Sequence, residues 1–217
     1  MLDFIHRFEP GDAGRPVVLA LHGTGGDEHD LVSLARAIDP EAPVLSPRGR
    51  VLENGMPRFF KRLAEGVFDQ EDLRVRTREL AAFLDAAAGE YGFDRARMVA
   101  VGYSNGANIA ASLLLSDASP AGVLGAILLR PMVPFEPATL PDRRRTRILV
   151  SASRQDPIVP PSSTERLAEL LSSAGADVTT RWYPTGHGLS PQEIRDAAAW
   201  YHGSTRFNTA RSISHDR

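Results

Sequence analysis

The sequence predicts an α/β fold with a mostly parallel central sheet and helices on both of its faces. Short runs of aliphatic and β-branched residues recur along the chain, and such continuous apolar runs are typical of strands that are buried on both sides. Stretches with apolar residues at helical spacing lie between these runs. Strand and helix therefore alternate along the chain, which favours parallel strands joined by crossover helices.

Six apolar runs are expected to form the strands of this sheet, and the segments between them supply the helices. The strands are predicted at residues 17–21, 43–46, 98–102, 123–129, 148–152 and 178–183. Residues 105–116 are predicted to be helical. Four more helices are predicted because apolar residues recur with a 3.6-residue period and so share one helical face. The residues of these four faces are Leu31, Leu34, Ala35 and Ile38; Leu73, Leu80, Leu84 and Ala87; Leu167, Leu170, Leu171 and Ala174; and Ile194, Ala197, Ala198 and Tyr201.

Two helix starts and one helix end carry recognisable signals. Ser162 with Glu165 fits a capping box, in which a serine and a glutamate three residues later satisfy each other's backbone N–H groups. Ser190 with Glu193 fits the same pattern, and a proline follows Ser190 at the first helical position. Gly175 is predicted to end the helix that Ser162 begins.

The composition indicates one globular domain. The chain has 217 residues, of which 42% are apolar and 24% are charged, so it can bury a substantial core. We expect a single domain over residues 1–202 and a polar, mobile tail over residues 203–217. The first ten residues lack the apolar stretch of a signal peptide, and no run is long enough to span a membrane, so a cytoplasmic protein is expected.

Charge and cysteine content argue against several kinds of function. The net charge of −2 favours neither nucleic acid nor an anionic membrane as a partner. The absence of cysteine excludes a disulfide framework, a zinc–thiolate site and a cysteine nucleophile. Residues 27–30 (Asp-Glu-His-Asp) are expected to form a solvated, acidic first helical turn, and a metal cluster is the disfavoured alternative. The arginines 143–145 are expected to form a solvated loop, and selection of anionic substrates is the disfavoured alternative. We therefore expect no metal and no other cofactor.

A candidate nucleophile lies in the segment Gly-Tyr-Ser-Asn-Gly at residues 102–106. This G-x-S-x-G pattern follows a predicted strand and opens a predicted helix, so Ser104 is expected at a tight strand-to-helix turn with its hydroxyl exposed. The two glycines suit such a turn because side chains there would clash. The alternative is a glycine-rich turn that carries an inert serine.

A serine hydroxyl needs a base, and that base needs an orienting acid. His187 is the favoured base among six histidines because it follows a predicted strand, has glycine on both sides and precedes the helix that starts at Ser190. Asp156 is the favoured acid because it follows the strand at 148–152, in the chain order Ser, Asp, His. Asp142 and Asp177 are the alternative acids.

The early loop His-Gly-Thr-Gly-Gly at residues 22–26 is the candidate source of an oxyanion hole. It directly follows the strand at 17–21, and its glycines let a backbone N–H face the pocket. The expected donors are the N–H groups of Thr24 and of Asn105, the residue after the candidate nucleophile. A phosphate loop is disfavoured because the segment has neither the lysine nor the glycine spacing of one. His22 is expected to be structural.

Two segments, 49–70 and 130–147, lack a clear period and follow predicted strands, so both are expected to wall a pocket at the sheet edge. Their large apolar side chains are the candidate substrate-binding residues, which are Met56, Phe59, Phe60, Met132 and Phe135. On this interpretation the rings close the acyl side of the pocket and favour short acyl chains. The alternative is that the rings fill the core beneath a covering loop.

These motifs together resemble the phospholipase/carboxylesterase branch of the α/β-hydrolases, which includes the acyl-protein thioesterases. The resemblance spans about residues 15–202 and rests on the segments 21–27 (LHGTGGD), 102–106 (GYSNG), 156–160 (DPIVP) and 186–187 (GH). The segment 55–60 (GMPRFF) is similar to a bacterial subgroup associated with hydroquinone-stress operons. Asn105 differs from the glutamine that is common at this position in acyl-protein thioesterases.

The resemblance implies a serine carboxylesterase that hydrolyses short acyl or aryl esters through a Ser104–Asp156–His187 triad, without a metal. Its partner would be a small-molecule ester. Dimers are frequent in this branch, which makes a second copy of the chain a candidate partner. The long acyl tunnel of the thioesterases is not expected. The alternative functions are acyl thioester or lysophospholipid hydrolysis and, in a different class, ligand binding without catalysis on a hydrolase scaffold.

Overall fold

The structure, a computed structural model, describes residues 2–117 and 123–203, and within them the chain forms a seven-stranded sheet, two small hairpins and five α-helices. The strands are β1 (His6–Glu9), β2 (Val17–Leu21), β3 (Val44–Pro47), β4 (Val51–Glu53), β5 (Met56–Arg58), β6 (Arg62–Ala64), β7 (Val67–Phe68), β8 (Met98–Tyr103), β9 (Gly125–Leu129), β10 (Arg147–Ser153) and β11 (Asp177–Tyr183). The helices are α1 (Val32–Ile38), α2 (Gln70–Tyr91), α3 (Asn105–Leu115), α4 (Pro161–Ser173) and α5 (Pro191–His202).

The main sheet has the strand order β1-β3-β2-β8-β9-β10-β11. All neighbouring strands run parallel except β1, which pairs antiparallel with β3 at one edge. The expected fold class is therefore confirmed. Because β2, β8, β9 and β10 run in the same direction, their carboxyl ends lie along one edge of the sheet, where the loops to the following helices collect.

Each face of the sheet buries its own apolar cluster, which explains why the strands have continuous apolar sequences. Along β2, Leu19 belongs to the cluster under α2, α3 and α4, whereas Val18 and Ala20 belong to the cluster under α1 and α5. Successive side chains of a strand point to opposite faces, so every position of β2 is buried. No helix among the described residues is long and apolar enough to cross a membrane.

The predicted strands are all present, with ends that differ by one or two residues, but several elements were missed. The edge strand β1 is short, half-buried and partly charged, so it lacks the apolar run that marks the inner strands. The segment 49–70 is not irregular, because it folds into the hairpins β4–β5 and β6–β7. The β4–β5 turn uses Asn54 and Gly55, both at positive φ, which is the geometry of a tight hairpin turn.

One predicted helix start is wrong and two other helix signals are confirmed. Helix α4 begins at Pro161 after Pro160, so Ser162 lies inside the helix and does not cap it. The Ser190 hydroxyl does cap α5, accepting a hydrogen bond from the Glu193 N–H at 3.3 Å. Gly175 follows α4 with a φ of +89°, as expected of a glycine that ends a helix.

The two charged clusters are less solvated than predicted. Helix α1 begins only at Val32, and in the turn before it Glu28 is buried and pairs with Arg48 at 2.9 Å. Arg143 is also buried, because it donates hydrogen bonds to the carbonyl oxygens of Leu114 and Ser116 at the end of α3. The last carbonyl groups of a helix have no partner within it, and Arg143 supplies one. Of the predicted tail, only Gly203 belongs to the described residues.

Candidate active site

Ser104 lies between β8 and α3, at the carboxyl edge of the sheet, and its backbone is strained. Its φ of +52° is in the region that favours glycine, which costs a serine about 1–3 kcal/mol. Two backbone hydrogen bonds of 2.9 Å hold it there. The Ser104 N–H donates to the carbonyl of Leu129 on β9, and the Ser104 carbonyl accepts from the N–H of Asn108 in α3. The neighbouring strand and the helix thus fix the turn from both sides.

The two glycines of the motif are needed because backbone passes very close to each of them. A Cβ atom on Gly102 would lie 2.5 Å from the carbonyl oxygen of Gly106, and one on Gly106 would lie 1.9 Å from the carbonyl oxygen of Leu21 on β2. Neither neighbour is a side chain that could move aside. The start of α3 is therefore packed directly against the end of β2, where the early glycine loop begins.

Three residues from three loops form one chain of hydrogen bonds. The Oγ of Ser104 lies 2.9 Å from Nε2 of His187, and Nδ1 of His187 lies 2.8 Å from Oδ2 of Asp156. Because a carboxylate only accepts, Nδ1 carries the ring proton and Nε2 is left to accept the proton of the serine hydroxyl. The alternative acids lie elsewhere, since Asp142 pairs with Arg144 and Asp177 with Arg147.

Asp156 is held as firmly as the histidine that it contacts. Its side chain is inaccessible to solvent, and its Oδ1 accepts the N–H groups of Ile158 and Val159 at 2.8 and 3.1 Å. These two bonds leave Oδ2 to face His187. The local turn therefore determines which carboxylate oxygen meets the imidazole.

Arg130 is a part of the site that sequence reasoning missed. It follows β9 at a φ of +58°, and its side chain is inaccessible to solvent. It donates hydrogen bonds to the carbonyl groups of Gly186 and Gly188, on the two sides of His187, at 3.1 and 2.9 Å, and pairs with Glu193 at 2.8 Å. The glycines on both sides of His187 are therefore held in place by Arg130. An arginine that ends an apolar run was the available signal.

The residues expected to form an oxyanion hole both line the cavity above Ser104. Asn105 is the first residue of α3, and the N–H groups of a first helical turn have no acceptor within the helix. Thr24 precedes Gly25, whose N–H donates to the carbonyl of Pro57 and so anchors the early loop on β5. Thr24 and Asn105 thus lie together beside Ser104 at the cavity.

His22 has a structural position, as expected. It is buried, its Nδ1 donates to the carbonyl of Gly23 at 2.6 Å, and its Nε2 accepts the N–H of Gly49 at 2.9 Å. Burial lowers the pKa of the His22 imidazole, which keeps the ring neutral and able to accept that hydrogen bond. Its ring joins the early loop to the segment that starts at residue 49.

The cavity at Ser104 has a volume of about 360 Å³, and its wall differs from the expected one. Of the five candidate substrate-binding residues, only Met132 lines it. Phe59 and Phe60 are buried in the core, with ring centroids 4.7 Å from His22 and 5.0 Å from Phe68, respectively. Met56 is 40% exposed, and Phe135 packs against the core away from the cavity.

The reason for this difference is a hydrogen bond from the backbone of the segment 59–60 to the side chain of the first residue of α3. The Phe59 N–H donates to Oδ1 of Asn105 at 2.7 Å, which draws the two rings beneath the helix start. The residues that face the cavity instead include the charged side chains of Arg58, Arg62 and Glu65. The ring of Phe68 and the aliphatic side chains of Ile158 and Val159 also border it. Sequence reasoning chose the rings because it could not tell on which side of the segment the cavity lies. Among the described residues, no group of three His, Asp or Glu side chains could hold a metal ion.

Replacing Gly106 tests the packing of the turn. We expect Gly106→Ala to lower the free energy of unfolding by about 3 kcal/mol or more, because the new methyl group meets the Leu21 carbonyl. Gly89→Ala is the matched control. Gly89 is an exposed residue of α2 with open space around its Cα, so alanine should stabilise the helix by about 0.5–1 kcal/mol. Urea denaturation measures both changes. Equal stabilities of the two variants would contradict the packing described here.

Replacing Glu193 tests the buried ion pair. We expect Glu193→Gln to lower the free energy of unfolding by about 3–5 kcal/mol, because Arg130 loses its closest counter-ion and keeps only the carboxylate of Asp156, 3.9 Å away. Glu169→Gln is the control, since the exposed pair of Glu169 with Arg166 contributes little. Thermal and urea denaturation provide the measurement. A Glu193→Gln protein as stable as the control would show that the pair does not hold this loop.

The chain is similar over almost its whole length to a family of known hydrolases. The family model described as Phospholipase/Carboxylesterase matches residues 8–202. The hydrolase MhqD of Bacillus subtilis is 51% identical over 196 residues, which cover 90% of this chain and 96% of that protein.

Two solved carboxylesterase structures superpose closely. The Bacillus cereus enzyme has a TM-score of 0.90 at 51% identity, covering 93% of this chain and 94% of that chain. The Mesorhizobium loti enzyme has a TM-score of 0.83 at 34% identity, covering 94% and 96%, respectively. The chain therefore belongs to the phospholipase/carboxylesterase family of α/β-hydrolases and is a carboxylic ester hydrolase.

Proposed function

We propose that this enzyme hydrolyses small carboxylic esters through an acyl-enzyme formed on Ser104, with His187 as general base and acid and Asp156 as its orienting partner. The observation that carries the proposal is the hydrogen-bonded chain from Ser104 Oγ through the imidazole to the buried carboxylate, with distances of 2.9 and 2.8 Å. A nucleophile, a base and an orienter within hydrogen-bond reach are the geometric requirement for this chemistry.

In the acylation half of the reaction, Nε2 of His187 takes the proton of the Ser104 hydroxyl as Oγ bonds to the ester carbonyl carbon. The electron pair of the carbonyl double bond moves to its oxygen. When the tetrahedral intermediate collapses, the alcohol leaves with the proton that His187 returns, and the acyl group stays on Ser104. Asp156 stabilises the imidazolium that exists between the two proton transfers.

The deacylation half repeats these steps with water in place of the serine hydroxyl. His187 takes a proton from the water as its oxygen attacks the acyl carbon, and returns it to Ser104 Oγ as the carboxylic acid leaves. In both halves the oxyanion needs donors that are already in position. The N–H groups of Thr24 and Asn105 are proposed for this role, because both residues border the cavity beside Ser104.

A small substrate is proposed because of the size of the cavity. About 360 Å³ is near the lower end of the range for small-molecule sites, so it suits a short acyl chain better than a long one. The limit comes from the cavity volume and not from the rings of Phe59 and Phe60, because of the three phenylalanines in the segment 49–70 only Phe68 borders the cavity. Arg58, Arg62 and Glu65 border one part of the cavity, and a long alkyl chain would be disfavoured there because it would desolvate their charges.

Removing the nucleophile is the direct test of this proposal. We expect Ser104→Ala to lower kcat on nitrophenyl acetate by about 10⁴-fold or more while leaving the unfolding midpoint close to that of the wild type. His187→Ala should cause a loss of similar size, because the serine hydroxyl then lacks a base. Activity should be unchanged by a chelator. A Ser104→Ala enzyme with near-wild-type kcat would refute the proposal, and so would a chelator-induced loss that a divalent metal restores.

The acid is tested by replacing the carboxylate with an amide. In Asp156→Asn the N–H groups of Ile158 and Val159 hold the amide oxygen at the Oδ1 position, so the amide nitrogen faces His187. It would donate to Nδ1 and force the proton onto Nε2, which then cannot accept from Ser104. We expect kcat to fall about 10³- to 10⁴-fold.

The controls for this variant are Asp142→Asn and Asp177→Asn, which change carboxylates on exposed arginine pairs and should leave kcat unchanged. Steady-state kinetics on nitrophenyl acetate compare the three proteins. An active Asp156→Asn enzyme together with an inactive Asp142→Asn or Asp177→Asn enzyme would mean that the acid is a different residue.

A further inference from the structure

Besides Arg130, two arginines line the cavity of the proposed active site, and the reaction proposed above uses neither of these two. Arg58 ends strand β5 and Arg62 begins β6, so the short link between the hairpins presents both guanidinium groups to the same space as Ser104 and His187. Arginine side chains usually lie in solvent at the protein surface. Two of them in a concave site therefore indicate that the site binds a ligand of opposite charge.

Arg58 is a buried cation with a fixed position. Only 4% of its side chain is exposed, and burial lowers the pKa of its guanidinium, although an arginine remains charged. Its Nη1 donates to the hydroxyl of Thr24 at 2.7 Å, and its Nε donates to the carbonyl of Phe60 at 3.2 Å. Among the described residues, no hydrogen bond uses its Nη2. The side chain is therefore held rigidly with one donor left over.

The positive charge of the pair is only partly compensated. Glu53 is the shared counter-ion, with Oε1 at 3.0 Å from Nε of Arg62 and Oε2 at 3.4 Å from Nη1 of Arg58. One carboxylate thus serves two guanidinium groups. The terminal nitrogens of Arg62 make no hydrogen bond within the described part of the chain. Glu53 itself does not line the cavity, whereas Glu65 does. Glu65 is an exposed residue, so water screens its charge more than it screens the charge of the buried Arg58.

The amide side chains of the cavity add donors and no acceptors. Oδ1 of Asn105 accepts the Phe59 N–H, and Oδ1 of Asn108 accepts the Met132 N–H, both at 2.7 Å. Because the oxygens are occupied by backbone donors, each amide is left with its NH₂ group. The Nδ2 of Asn105 is buried and has no partner among the described residues. A buried donor without an acceptor is costly unless a ligand supplies one.

We propose that Arg58 and Arg62 form an anion subsite of the active-site cavity, which binds a carboxylate carried by the ester substrate on its acyl or its alcohol part. A carboxylate accepts through both oxygens, which matches the planar donor groups of arginine and the excess of donors in the wall. This inference rests on the proposed function, since it names the substrate class of the same site. The substrates are then half-esters of dicarboxylic acids or esters of hydroxy acids, not neutral alkyl esters.

The test compares esters that differ only in a carboxylate or an uncharged amide. Monomethyl succinate and methyl succinamate vary the acyl part, and acetoxyacetate and acetoxyacetamide vary the alcohol part. The measured quantity is the ratio of kcat/KM for the carboxylate to that for the amide. We expect the wild type to favour the carboxylate about tenfold in at least one pair, because charge-assisted hydrogen bonds are the stronger ones.

Arg62→Gln is the informative variant, because 30% of its side chain is exposed and its loss threatens the fold less than the loss of Arg58. The ratio should fall towards one in Arg62→Gln and should reverse in Arg62→Glu. Arg166→Gln is the control, since this exposed arginine on α4 pairs with Glu136 outside the cavity, and its ratio should equal that of the wild type.

The outcomes separate this inference from the proposed function. A wild-type ratio near or below one for both pairs would overturn the anion subsite, and so would an undiminished preference in Arg62→Gln. In either case hydrolysis of the neutral esters through Ser104 would still stand. If the wild type hydrolyses none of the four esters and not nitrophenyl acetate either, the proposed function itself fails, and the subsite fails with it.

Discussion

The contact between Gly106 and the carbonyl of Leu21 is the constraint on which the rest of the site depends. It packs the first turn of α3 directly against the end of β2, at a distance that leaves no room for a side chain. That approach requires the chain to reverse within the single residue Ser104, which accepts a positive φ as a result. It also brings the loop that carries Thr24 next to Asn105. Nucleophile and proposed oxyanion donors are thus consequences of one backbone contact.

The same device occurs twice at neighbouring strand ends. Ser104 after β8 and Arg130 after β9 both have positive φ, and each donates its N–H to the next strand, to the carbonyls of Leu129 and Ser151 at 2.9 Å. Both turns redirect a side chain across the edge of the sheet. Ser104 presents its hydroxyl to the cavity, and Arg130 reaches the loop around His187. Strain at these positions persists because the neighbouring strands over-determine the backbone.

The buried pair of Arg130 and Glu193 joins the two later loops of the site. Nε of Arg130 lies 3.9 Å from the carboxylate of Asp156, and the same guanidinium binds the carbonyls on both sides of His187. The histidine and the acid are therefore positioned by one charged group from a third strand. Its charge is balanced by Glu193 in the first turn of α5, so the cap of that helix is also part of the site.

Local patterns predicted the sheet and the candidate residues Ser104, His187 and Asp156. Strand ends and glycine-flanked turns can be recognised from a few consecutive residues. Features that depend on distant parts of the chain could not be read in this way. Phe59 and Phe60 were placed in the cavity wall because nothing local says that Asn105 draws them under α3. The error at Ser162 was a local one, because Pro161 at the first helical position already marks an earlier helix start. Arg130 and Arg58 were missed because a single arginine in a sequence does not show which charges surround it.

The most direct measurement of the central claim is the site of covalent modification by a fluorophosphonate. The enzyme would be labelled, digested and mapped by peptide mass spectrometry, with heat-unfolded enzyme as the control for non-specific reaction. An activated serine at the turn between β8 and α3 predicts a single phosphonylated residue, Ser104, and no adduct on the unfolded chain. An adduct on another serine, or none on the folded enzyme, would contradict the account.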